Sequence, residues 1–202
     1  MADEMIDKGS ASAQAGSSAE SIGAADVRAA HDMAAFVQEC PSMFHAAASL
    51  RRRLDAAGFA YLPESKPWEV RRGGCYYTVR NNSSVIAFKV GARLDGYRFQ
   101  LTASHSDSPT YKVKAAPELS SPSGYMRLNV EAYGGVMDHT WFDKPLSVAG
   151  RVLVRLGDRV ESRLVAPDED LLLIPRVPIH LDREANSRFS PNRAVDLCPV
   201  MS

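Results

Sequence analysis

At Gly74 the spacing of apolar residues changes from helical to alternate, so the chain must combine helices with strands rather than repeat either one. Upstream, Val27, Ala30, Ala34 and Val37 recur at helical intervals, and the pattern stops at Cys40–Pro41. Ser42 is placed to N-cap a second helix with the stripe Met43, Ala47, Leu50, Leu54 and Ala57, and Gly58 sits where a left-handed residue ends a helix. Arg51, Arg52 and Arg53 lie near that helix's negative end, where a solvated face accounts for them better than an anion site.

Downstream, Cys75, Tyr77 and Val79 alternate, then Ile86, Phe88 and Val90, then Tyr97, Phe99, Leu101 and Ala103. Asn81-Asn82 and the Gly91 to Gly96 stretch separate these runs, which predicts three meandering strands. After Pro109 the texture changes again, with Pro117, Pro122, Gly124, Gly134 and Gly135 interrupting short β-prone pieces. Val148 to Leu156 and Val160 to Val165 flank Gly157-Asp158 as a hairpin, and Leu171 to Ile174 is a further short apolar run. The expected architecture is a mixed α/β core followed by a β-rich segment from about residue 109.

Residues 1–25 contrast with all of this. Fifteen of them are Ala, Ser or Gly, too little apolar surface to offset ordering entropy, so a disordered leader is expected. Equal numbers of basic and acidic residues, 24 each, argue against a dedicated nucleic-acid binder. No apolar run approaches the ~18 residues of a membrane span, and no secretory signal opens the chain. Cys40, Cys75 and Cys198 have no metal-ligand spacing and read as reduced thiols of a cytoplasmic protein.

Five histidines carry the possible chemistry. His31 and His45 fall within the predicted helices and read as satisfied imidazoles. His139 reads as a neutral core or interface ring packed beside Trp141 and Phe142, and His180 reads on spacing alone as structural. His105 differs, because it follows a predicted strand, where ligands collect in open α/β sheets, and Asp107 stands two residues on. A metal-ligating imidazole needs its other ring nitrogen held, and Asp107 can supply that carboxylate. The alternative is a loop histidine bonded to Asp107 for structure only. No Gly-x-Ser-x-Gly, phosphate loop, Cys-x-x-Cys or His-Glu-x-x-His occurs, and Gly73-Gly74 and Gly134-Gly135 read as turns or bulges.

Four ordered segments resemble the aspartyl aminopeptidase family of zinc metallopeptidases. Ser104-His105-Ser106-Asp107-Ser108-Pro109 is similar to that family's His-Thr-Asp-Ser-Pro, and Asn129-Val130-Glu131-Ala132-Tyr133-Gly134-Gly135 to its Val-Glu-Thr-Tyr-Gly-Gly. The stretch from His139 to Asp143, with Leu146 to Val152, resembles Thr-Trp-Phe-Asp…Leu-Ala-Gly-Arg-Val. Pro178-Ile179-His180-Leu181-Asp182-Arg183 resembles Ala-Ile-His-Leu-Asp-Arg. Ser42 to Ala46 and Gly58-Phe59 also fit the family's N-terminal helix, so the similarity covers about residues 26–200.

The resemblance implies the N-terminal part of a zinc-aminopeptidase α/β catalytic domain over 26–108, and part of an inserted β-rich dimerisation domain over 109–202. It implies a cytoplasmic homo-oligomer that uses Zn2+ in a two-metal site to cleave peptides with an acidic N-terminus. By position, His105 resembles the zinc ligand that opens the site, and Asp107 the carboxylate that orients it. His180 resembles a histidine that reaches an active site of a partner subunit, either as a metal ligand or as a substrate contact. The remaining ligands and the general base belong to family segments that lie past Ser202. The expectation is therefore an incomplete chain, inactive alone, or alternatively a non-catalytic assembly subunit that joins a full-length relative. A metal-free β-rich binding module is the third reading.

Overall fold

The computed structural model describes residues 23–93, 95–96, 98–121 and 124–201. Most of the predicted leader, residues 1–22, lies outside them, as does Tyr97. The chain divides into two compact units, one ending at Ala35 and the other Phe36–Ser202.

Helix α1 (Ala24–Glu39) starts where the low-complexity composition ends, and none of its residues is buried. Its expected apolar stripe is not buried, with Val27 and Val37 45% and 58% exposed. Alanine's high helix propensity supports the element locally instead.

Helix α2 (Met43–Ala56) buries Ala46, Ala47 and Ser49. Its C-terminus closes with Gly58 N–H donating to Asp55 O and Phe59 N–H to Leu54 O, both at 3.0 Å. That paired closure needs a left-handed residue, and Gly58 has φ +78°. Ser42 stands at the N-cap, but its side chain caps no backbone N–H. Its hydroxyl instead bonds His45 Nδ1 at 2.8 Å. The three arginines meet neighbours within the chain: Arg51 lies over the Tyr61 ring, Arg53 over Phe36, and Arg52 pairs with Glu39.

Under α2 lies a three-stranded sheet in the order β1-β2-β3, formed by β1 (Ala60–Tyr61), β2 (Cys75–Arg80) and β3 (Ser84–Lys89). β1 runs parallel to β2, and β2 pairs antiparallel with β3. Asn81 and Asn82 both adopt positive φ in the β2–β3 turn, as their side chains permit. Tyr77 is 1% exposed, and its hydroxyl donates to Asp55 Oδ1 at 2.7 Å, docking β2 on α2.

The third predicted strand does not form. The described residues from 98 to 104 have no strand partner, and Phe99 and Leu101 are 84% and 90% exposed. Alternation marks a segment suited to a sheet, but a strand exists only where a neighbour completes its backbone hydrogen bonds.

The second half is β-rich, as expected. β4 (Thr110–Ser120), β5 (Met126–Tyr133), β6 (Pro145–Leu146), β9 (Leu172–Leu173) and β10 (Val200–Met201) make a sheet ordered β4-β5-β10-β9-β6. β7 (Gly150–Leu156) and β8 (Arg159–Val165) form the separate hairpin. Pro117 does not end β4. It sits in an irregularity between Val113 and Glu118, where no ladder N–H is needed, and Asn129 Nδ2 donates to the freed Ala116 carbonyl at 3.1 Å. Ile174 and Leu197, both fully buried, with Val130 and Leu172, form this half's core.

Candidate functional site

His105 and Asp107 sit in the extended segment between the two sheets. Ser106 Oγ donates to Ser83 O at 3.2 Å and ties this segment to the β2–β3 turn. On its other side Thr110 starts β4, opposite Tyr133 at the end of β5. The site residues thus stand where a connection leaves the first sheet and enters the second.

The His-x-Asp spacing brings the two side chains together, with His105 Nδ1 3.1 Å from Asp107 Oδ1. The imidazole is 93% exposed and the carboxylate 27%. Tyr133 also reaches the carboxylate, its hydroxyl donating to Asp107 Oδ2 at 2.5 Å. Tyr133, then His105, hold the Asp107 carboxyl below the usual carboxylate range, and the same contact raises the Tyr133 phenol. An ionised Asp107 accepts the Nδ1 proton, which leaves the Nε2 lone pair facing solvent and available to a metal ion.

Gly134 makes this arrangement possible at close quarters. It has φ +77°, and a Cβ there would lie 3.5 Å from Pro109 Cα. The chain therefore turns sharply after Tyr133 while packing against the Ser108-Pro109 segment. Beside the pair is a cavity of about 680 Å3, lined by Asp107 and Tyr133 with Phe44, Tyr111, Trp141 and Leu146.

Among the described residues no hydrogen bond or ion pair joins His180 to these side chains. It lies on an exposed turn, where Leu181 N–H donates to Pro178 O at 2.8 Å. Asp143, at φ +55°, fixes the approach to that turn by accepting the Arg176 N–H at 2.9 Å. Arg176 in turn lies over the rings of Phe142 and Phe189. His139 is not a core ring within this chain: it is exposed, and it meets Phe189 edge-on. Trp141 instead packs edge-on against Tyr111 at 5.0 Å. Tyr133 was not foreseen as a site residue. The signal for it was the Tyr-Gly-Gly sequence, where a turn brings the end of one strand close to another segment.

For a resident metal, the present residues fit one ligand and its orienting carboxylate. A zinc centre draws on about four donors. Among the described residues no group of three His, Cys, Asp or Glu side chains is placed to share an ion.

The described residues thus present a histidine with a carboxylate beside it, on the connection between the first sheet and the second. Comparison with known proteins makes this specific. Residues 36–202 match the profile of the aminopeptidase I zinc metalloprotease family (M18), and the chain belongs to that family. It is 44% identical over 169 residues to a probable M18 family aminopeptidase 2 of Ectopseudomonas mendocina, covering 83% of this chain and 39% of that protein. Among solved structures, the Ape4 and Nbr1 complex superposes with a TM-score of 0.81 at 41% identity, covering 86% of this chain and 34% of the matched one. Chaetomium thermophilum mApe1 gives a TM-score of 0.77 at 31% identity, covering 85% and 39%. The chain thus spans about two fifths of the length of its curated relatives.

Proposed function

We propose that this chain is part of a zinc-dependent aminopeptidase that releases N-terminal Asp or Glu from peptides, acting as a cytoplasmic homo-oligomer. The carrying observation is the His105–Asp107 contact with Nε2 left open, in a chain of the M18 family. His105 is the metal ligand, through Nε2. Asp107 holds the Nδ1 proton and keeps the ring turned toward the ion. Zinc bound there, alone or in a two-ion centre, supplies Lewis-acid polarisation of the scissile carbonyl and activation of water.

His180 acts in the site of a second copy, as a ligand or a contact to the substrate. What supports this is its place on an exposed turn among apolar side chains, with Ile179 44% and Leu181 78% exposed. Segments 26–108 and 109–202 correspond to the catalytic part and the inserted dimerisation part. The three-stranded sheet lies before residue 109 and the five-stranded sheet and the β7–β8 hairpin after it, which supports that division.

Among the described residues the donors amount to one ligand, which does not make a zinc centre, and on that basis we read the chain as inactive by itself and as contributing its histidines to a larger assembly. The same shortage of donors favours a second reading, a non-catalytic subunit that assembles with a full-length relative. Zinc content and Asp/Glu aminopeptidase turnover of the purified chain, alone and mixed with a full-length M18 aminopeptidase, test both. Turnover by the chain alone that disappears in His105→Ala would overturn the inactivity. Co-elution with the relative and no rise in turnover would favour the assembly subunit.

A further inference from the structure

We propose that Tyr133 is a positioning residue for His105, acting through Asp107. Its functional meaning rests on reading His105 as a metal ligand, whereas its structural content rests on the hydrogen bonds alone.

The Asp107 carboxylate is held at both oxygens. Oδ1 faces His105 Nδ1 at 3.1 Å, and Oδ2 accepts the Tyr133 hydroxyl at 2.5 Å. An exposed carboxylate with one partner rotates about its terminal torsion, which is broad and roughly two-fold. With two partners on different oxygens its plane is fixed. This matters because the His105 ring, 93% exposed, has no other hydrogen bond among the described residues to orient it.

Tyr133 is itself well placed to act as an anchor. It ends β5 directly opposite Thr110, so the ladder sets its distance from Asp107, three residues upstream of Thr110. The turn at Gly134 packs on Pro109, and the Lys112 ammonium lies 5.5 Å from the centre of the Tyr133 ring. The Asp107-Ser108-Pro109 and Tyr133-Gly134 segments therefore form one contact, in which the phenol is the only polar link to the carboxylate from β5.

The phenol has two opposing effects. It draws charge from Asp107, which weakens the carboxylate's pull on the Nδ1 proton, and it fixes the direction of that pull. Orientation dominates, because the His105–Asp107 bond is long and solvent competes for both partners. The outcome is an imidazole held as the Nδ1–H tautomer, with Nε2 directed outward to a divalent cation of the kind that prefers nitrogen donors.

The test is the tautomer ratio of His105, read from the ring 15N shifts of the 202-residue chain without metal, at a pH where imidazole is neutral. In Tyr133→Phe the ratio of Nδ1–H to Nε2–H should fall about fivefold, the equivalent of one ordinary hydrogen bond, with the His139 signals unchanged. Placing p-aminophenylalanine at position 133 returns an N–H donor to the ring and should restore the ratio. This rescue separates the hydrogen bond from any general effect of substitution on folding. An unchanged or increased Nδ1–H fraction in Tyr133→Phe, or no recovery with the amino analogue, would overturn the proposal. Because neither metal nor substrate enters the measurement, failure of the peptidase reading would appear separately, in the turnover assays.

Discussion

Arg151 reaches Asn81, 70 residues away in sequence, donating from Nη1 to its backbone carbonyl at 2.8 Å and to Oδ1 at 3.1 Å. The guanidinium carbon also lies 4.3 Å from the centre of the Phe44 ring. One side chain of the late hairpin thereby touches both the β2–β3 turn and the start of α2. A planar fork can stack and donate at once, whereas an ammonium acts as a single point. Arg151→Ala is expected to lower stability by about 1 kcal/mol, and Arg151→Lys should recover less than half of that. Urea unfolding midpoints of the two variants measure both effects.

Gly134→Ala is expected to cost about 1 to 2 kcal/mol, since a residue with a Cβ resists the left-handed backbone found there. The added carbon would meet Pro109 at ordinary contact distance, so the cost is conformational rather than a clash. Gly135 lies in open space without a positive φ, and its change to Ala should be nearly silent by the same urea measurement.

His45 gives the chain a pH dependence. Burial pushes its pKa below the ordinary histidine value, so the folded state favours the neutral ring. The unfolded chain takes up the proton near pH 6.5. Below that pH the unfolded state binds more protons than the folded one, and stability falls as the pH drops toward the folded pKa; above it the contribution is complete. Comparing unfolding midpoints at pH 7.5 and pH 5.5 should show the loss, and His45→Gln should reduce it. Asp107, whose pKa is lowered, loses its contribution only in the more acid carboxylate range.

Function and stability should separate cleanly at two residues. Ile174 is fully buried, and Ile174→Ala is expected to cost about 2 to 5 kcal/mol through lost burial and the cavity left behind. His105, 93% exposed, should tolerate Ala within about 0.5 kcal/mol. Thermal unfolding of the two variants checks this. A large loss in His105→Ala would show that the ring serves the fold rather than a ligand.

Much of this architecture was readable before any coordinates. Gly58 marks the end of α2, Asn81-Asn82 the turn of the first hairpin and Gly157-Asp158 that of the second, because each feature depends on the backbone freedom of the residue itself. The His105–Asp107 pair was readable for the same reason, as two residues of separation place both side chains within reach. The very short strands β1, β6 and β10 were not, since two residues carry no period.

Sequence alone therefore determined local conformation: where helices stop, where hairpins turn, and which histidine carries a carboxylate beside it. Tertiary structure decided which of these segments meet. The Phe99–Leu101 alternation resembles that of β2 and β3, yet it stays unpaired, while Pro117 lies inside a strand because Asn129 answers its neighbour's carbonyl. Tyr133 reaches Asp107 only through the pairing of β4 with β5, a contact spanning 26 residues. Periodicity and turn chemistry act over a few residues. Strand partnership is set by burial and backbone hydrogen bonding between distant segments, and only the folded chain supplies those partners.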